Sequence, residues 1–147
     1  MNGRLGVFAA SLFVVGGSAV SVPSIGTFEV DDVGIKGCSS VAGALGSSGW
    51  DRPKCAVWKF ESPLRDSKMT MSFDGSIETS PIANVTFNDQ NRDLSVHAEW
   101  NEYNILVTYE EKKRLGYETM TGDGTLKVYS DTPGDSKTIP VTVAWGC

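Results

Sequence analysis

Few side chains in this sequence are spaced for chemistry, and the nearest approach is Asp89-Gln90-Asn91-Arg92-Asp93. It sets carboxylate or amide oxygens at alternate positions, as the start of an EF-hand calcium loop does. Such a loop needs Gly at its sixth position and a bidentate Glu at its twelfth. Leu94 and Trp100 stand there instead, so the stretch reads as a hairpin turn. Asp31-Asp32 is a weaker pair of carboxylates at a strand end. His97 is the sole histidine and lies between Val96 and Ala98. Alternation puts it on the polar face of a strand, where Glu99 shares that face and is positioned to pair with it. General acid–base catalysis needs a tuned group in a cleft, and no nucleophile elbow, phosphate loop or dinucleotide fingerprint occurs. The expectation is a protein that is not an enzyme, with no catalytic residue, no cofactor and no metal.

The cysteines are Cys38, Cys55 and Cys147, an odd count. Cys38 with Cys55 is the expected disulfide, because the segment between them has loop composition and the closure is short. In the chain-entropy picture such a loop contributes about 3 kcal/mol. Cys147 is then left as a free thiol or an intermolecular link. A zinc site lacks both a Cys-x-x-Cys pair and a second histidine, and a Cys-His nucleophile pair lacks every other part of such a site.

Two aromatics stand apart from the apolar register as candidate partner contacts. Trp50 sits in a loop before Asp51-Arg52-Pro53, and Tyr129 falls out of phase with Leu126 and Val128. Trp100 and Trp145 continue the apolar register of their strands and are expected in the core. Asn84-Val85-Thr86 fits the N-glycosylation acceptor pattern, with Asn84 on a polar face.

The elements that must position these residues read as strands. From Ala56 onward apolar residues alternate with polar ones: Met69, Met71 and Phe73; then Ala83, Val85 and Phe87; then Leu94, Val96, Ala98 and Trp100. Ile105, Val107 and Tyr109 follow, then Leu126 and Val128, and last Ile139, Val141, Val143 and Trp145. Period two marks strands with one face on a core and one in water, the habit of antiparallel sheets. Asp74-Gly75, Asn88 to Asn91, Gly122-Asp123-Gly124 and Asp131 to Gly134 supply turn chemistry between them. An all-β fold of roughly seven to nine short strands is expected, an antiparallel β-sandwich of Ig-like or jelly-roll-like kind. A closed β-barrel is the alternative. Ile25 to Val30 is a further strand candidate. Residues 31–55, rich in Gly and Ser, read as a long loop with at most one helical turn near Val41 to Leu45.

Ahead of this block, Arg4, the apolar run Leu5 to Val15 and the small residues Ala19 and Ser21 have the layout of an export signal over residues 1–21. The run is too short for a permanent membrane span. Its rival is an apolar arm that stays on the subunit. Residues 22–147 then form one domain, large enough for a core of its own.

The net charge is −5, and Lys112-Lys113-Arg114 directly follows Glu110-Glu111, so nucleic acid is not an expected partner. The leading expectation is a structural or adhesive subunit of an extracellular assembly, fimbria-like or surface-exposed. It would associate with its own kind or another subunit by strand pairing, with the extended segment around Val20 to Val30 as donor. The last strand, Thr138 to Trp145, resembles the terminal strand of exported pilin- and spore-coat-type sandwiches over a short stretch that assigns no family. A virion structural protein (capsid, decoration or tail-tube subunit) is the alternative. A secreted module binding carbohydrate or protein is a further one. The expected location is secreted, periplasmic or cell-surface, with the virion as alternative.

Overall fold

A computed structural model describes residues 22–34, 37–47, 52–110, 113–114, 120–132 and 134–146. The leader 1–21, Trp50 and Cys147 lie outside the described residues. The strands are β1 (Ser39–Ala44), β2 (Ala56–Lys59), β3 (Lys68–Phe73), β4 (Ser76–Asn88) and β5 (Asp93–Trp100). They continue as β6 (Tyr103–Glu110), the two-residue β7 (Lys113–Arg114), β8 (Met120–Ser130) and β9 (Ser136–Gly146). All pairings are antiparallel, each barrel strand beside its neighbours in sequence. β6 pairs with β8, and β9 returns to β1, so eight strands close into a β-barrel. The all-β expectation holds, and of the two architectures it is the barrel that forms.

Closure follows from where the side chains go. Ala56, Trp58, Met69, Met71, Val96, Ile105, Val107, Leu126 and Val128 are all essentially inaccessible and form one cluster inside the barrel. Trp58 on β2 reaches Tyr109 on β6, their ring centroids 6.4 Å apart. Interiors of eight-stranded barrels are just wide enough for side chains to fill. The Asp74-Gly75 hairpin has φ of 50° and 84°, the left-handed pair that matches strand twist in a tight β-turn. The β4–β5 turn is built from Asx contacts. Asn88 Oδ1 accepts from the Gln90 amide at 2.9 Å, and Asn91 Oδ1 from the Asp93 amide at 3.0 Å.

The loop expected over residues 31–55 contains β1. Its sequence, Ser-Ser-Val-Ala-Gly-Ala, shows no alternation because both faces are covered. Ala42 points into the barrel, while Val41 joins Val57, Ala144 and Phe28 in a second cluster on the outside wall. That outer cluster is made by the N-terminal segment, which lies across the barrel as a strap. Val22 and Phe28 are buried. The Val22 amide donates to Asp135 Oδ1, the Ser24 amide to Asp74 Oδ1 at 2.8 Å, and the Gly26 amide to the Ser72 carbonyl at 2.8 Å. Instead of the strand expected over Ile25 to Val30, there are two isolated bridges, Ile25 with Phe73 and Phe28 with Lys54, and a 3-10 turn over Val30–Val33. The described part of the proposed donor segment is thus docked on its own barrel.

Gly122-Asp123-Gly124 is likewise not a turn but the interior of β8. A Cβ on Gly124 would run into the Thr108 carbonyl and the Tyr109 Cα, so only glycine permits β6 and β8 to approach this closely.

Candidate functional site

The barrel's two ends and its outer wall present different chemistry. At the end carrying the β3–β4, β5–β6 and β8–β9 turns, Phe73 stacks on Trp100 with centroids 4.5 Å apart, and Trp100 on Tyr103 at 6.0 Å. Val22 lies buried in the same core cluster. Trp100, expected in the core, is half-buried in this aromatic cap. Beside it the β5–β6 turn and Asp131 outline a small hollow of about 160 Å³, lined by Glu99, Asn101, Glu102, Tyr103, Asn104 and Asp131. Desolvation, and then the Glu102 carboxylate, hold the Tyr103 phenol above its ordinary range.

At the opposite end, Trp145 pairs with Ser40 and Met120, in phase with the inward Val143. It is nevertheless 36% exposed, because it stands at the last turn of the wall, where the core no longer surrounds it. Below that rim the Trp58 indole N–H is fully buried with no hydrogen-bond partner among the described residues.

A larger concavity than that hollow lies outside the barrel. A groove of about 470 Å³ runs over β2, β3 and β4, lined by Gly34, Lys59, Glu61, Asp66, Lys68, Thr70 and Thr79. Each lining side chain is there by strand phase. Met69 and Ser80 are buried, so Thr70 and its partner Thr79 turn outward, their hydroxyls 3.3 Å apart on the groove floor. Lys59 and Lys68 oppose each other across β2 and β3. Lys59 pairs with Glu61 at 3.7 Å, while Lys68 has no ion pair among the described residues. The 3-10 turn Leu64–Asp66 contributes Asp66, and the Ser67 hydroxyl fixes its approach by accepting from the Glu61 amide at 2.7 Å. The groove therefore offers one uncommitted ammonium, two hydroxyls and two carboxylates within a volume suited to a small ligand. Nothing in the sequence pattern singled it out, because its residues are ordinary polar-face positions until the strands are paired.

The residues the sequence did single out are scattered. Cys55 is a free, buried thiol whose Sγ donates to the Ala42 carbonyl at 3.1 Å, so the expected Cys38–Cys55 disulfide is not formed. The physical reason is β1: Ser39–Ala44 pairs with β2 in a register that sets Ser40 opposite Trp58 and Ala42 opposite Ala56, which carries Cys38 away from Cys55. Burial pushes the Cys55 thiol up from 9.0 to about 11. His97 does not pair with Glu99. Its Nε2 lies 3.0 Å from Asn104 Oδ1, and Asn104 Nδ2 donates to Asp131 at 3.2 Å. Tyr129 is on the outer wall, half-buried, with the Lys127 ammonium 5.0 Å above its ring, so one aromatic face already carries a cation. Asn84 is exposed on β4 opposite His97. Asp31 and Asp32 sit exposed in the first 3-10 turn. Among the described residues no group of three or more His, Cys, Asp or Glu converges on a metal position, and no helix is long and apolar enough to cross a membrane. In comparisons with protein-family models, curated proteins and solved structures, the chain matches none.

Proposed function

We propose that the protein is a non-enzymatic adhesive or binding barrel acting outside the reducing cytosol, with the β2–β3–β4 groove as its contact site. The observation that carries this reading is Lys68, an ammonium with no ion pair among the described residues, set beside the Thr70–Thr79 hydroxyls and the Glu61 and Asp66 carboxylates. Ammonium and hydroxyl donors suit a ligand carboxylate, and the flanking carboxylates accept from ligand hydroxyls. Acidic carbohydrate combines both groups. With a net charge of −5, attraction to an anion is local, within a Debye length of about 8 Å at physiological salt. Titration of the full chain with uronic-acid oligosaccharides, followed by amide chemical shifts, tests this. Shifts at Thr70 and Thr79 that vanish in Lys68→Ala are expected. Equal response to neutral oligosaccharides, or none to either, defeats it.

A structural subunit of an extracellular assembly is the second reading. Each of the eight closed strands is paired on both sides, so the reading moves from strand pairing to side-chain contacts. Phe60 and Leu64, both exposed beside the groove, are the observation that favours it. Light scattering on the wild-type chain and on Phe60→Ser/Leu64→Ser separates the readings. Multimers lost in the variant support assembly, and a monomeric wild type removes it.

A further inference from the structure

The barrel closes where β1 meets β9, and the described register there ends one residue short of a cysteine on each strand. Ser39 is opposite Gly146, Ser40 opposite Trp145 and Val41 opposite Ala144. Cys38 directly precedes Ser39, and Cys147 directly follows Gly146. Extended by one step, the same antiparallel ladder would set position 38 against position 147. Residues directly opposed in such a ladder have Cα atoms about 4.5–5.5 Å apart, inside the range of about 4.4–6.8 Å that a disulfide requires. We propose that Cys38 and Cys147 form an intramolecular disulfide that clamps the seam between the first and last strands.

The third cysteine does not compete. Cys55 is buried inside the wall and hydrogen-bonded to Ala42. Its thiol is held protonated up to about pH 11, and a protonated, inaccessible thiol neither attacks nor exchanges. Cys38 is exposed. Formation uses a low-molecular-weight disulfide such as oxidised glutathione. One cysteine thiolate attacks it and expels the first glutathione thiolate, leaving a mixed disulfide. The second cysteine thiolate then attacks the protein sulfur and expels the other. Two electrons pass from the protein to the reagent, and the two thiol protons end on the two glutathiones.

All eight barrel strands lie between these two cysteines. The cross-link therefore makes the barrel one covalent ring, and a loop this long restricts the unfolded chain more than the short one expected from sequence spacing, though the gain grows only with the logarithm of loop length. Reduction opens the ring while leaving every strand in place, which makes stability depend on compartment. This inference is independent of the groove and its ligand.

The test is a non-reducing peptide map of the full chain secreted from an oxidising host, with thermal unfolding alongside. A Cys38–Cys147 cross-linked peptide within the monomer is expected, and reductant should lower Tm by roughly 10–20 °C. Cys38→Ser and Cys147→Ser should each reproduce that loss, with no further loss in the double variant or on adding reductant. If a variant fails to fold, the reductant shift of the wild type reads the same quantity. A Cys147 cross-link between chains, a Cys38–Cys55 peptide, or full alkylation of unreduced, unfolded protein would overturn the proposal.

Discussion

Burial keeps the Cys55 thiol protonated in the folded barrel, and this gives stability a specific dependence on pH. The folded thiol titrates at about 11 against 9.0 for an ordinary cysteine, so the native state holds its proton more tightly. The contribution is fully present below pH 9 and is lost as pH rises toward 11. The loss amounts to about 2–3 kcal/mol. Denaturant unfolding at pH 8 and pH 10.5 should show a larger fall for the wild type than for Cys55→Ala. Equal slopes would mean that the thiolate is tolerated. The sequence made Cys55 visible, but its role depends on what surrounds it, and spacing along the chain carries no such information. His97 teaches the same lesson: alternation placed it correctly on a polar face, yet its partner Asn104 comes from the next strand.

Elements were legible wherever one face meets water. β5 and β6 show the alternation that half-burial imposes, and the hairpin turns beside them carry the residues those turns need. β1 was not legible, because the strap covers its outer face and erases the alternation. β8 was misread at Gly122 to Gly124 for the opposite reason: close wall-to-wall approach demands the same residue as a turn does. The strap itself should be an energetic part of the wall. Phe28 is buried against Val41, Val57 and Ala144, so Phe28→Ala should cost about 3 kcal/mol. Hydrogen exchange should then rise in the Gly26 and Phe28 amides and in β1, with β5 and β6 unchanged. Uniform loosening of all strands would show that the strap is not a separate unit. The groove belongs to this scale as well: it forms only when Lys59, Lys68, Thr70 and Thr79 are brought together by pairing.

At the scale of the whole molecule, sandwich and barrel share strands, turns and alternation. What separates them is whether β9 pairs back to β1, a contact between the two ends of the domain that local pattern does not encode. Every other pairing in the wall joins strands that follow one another along the chain, with only β7 intervening between β6 and β8. That ordering dictates a sequence of events in time. Hairpins close short loops at small entropic cost, whereas the β1–β9 ladder must close the longest loop available. Val143→Ala, at a fully inward seam position paired with Ala42, should therefore accelerate unfolding and leave refolding nearly unchanged. Val107→Ala, on the β6 wall, should slow refolding. A seam variant that slows refolding as much as the hairpin variant would reverse the order. The meander is thus a ribbon that assembles from its neighbours first and becomes a barrel in a single late step.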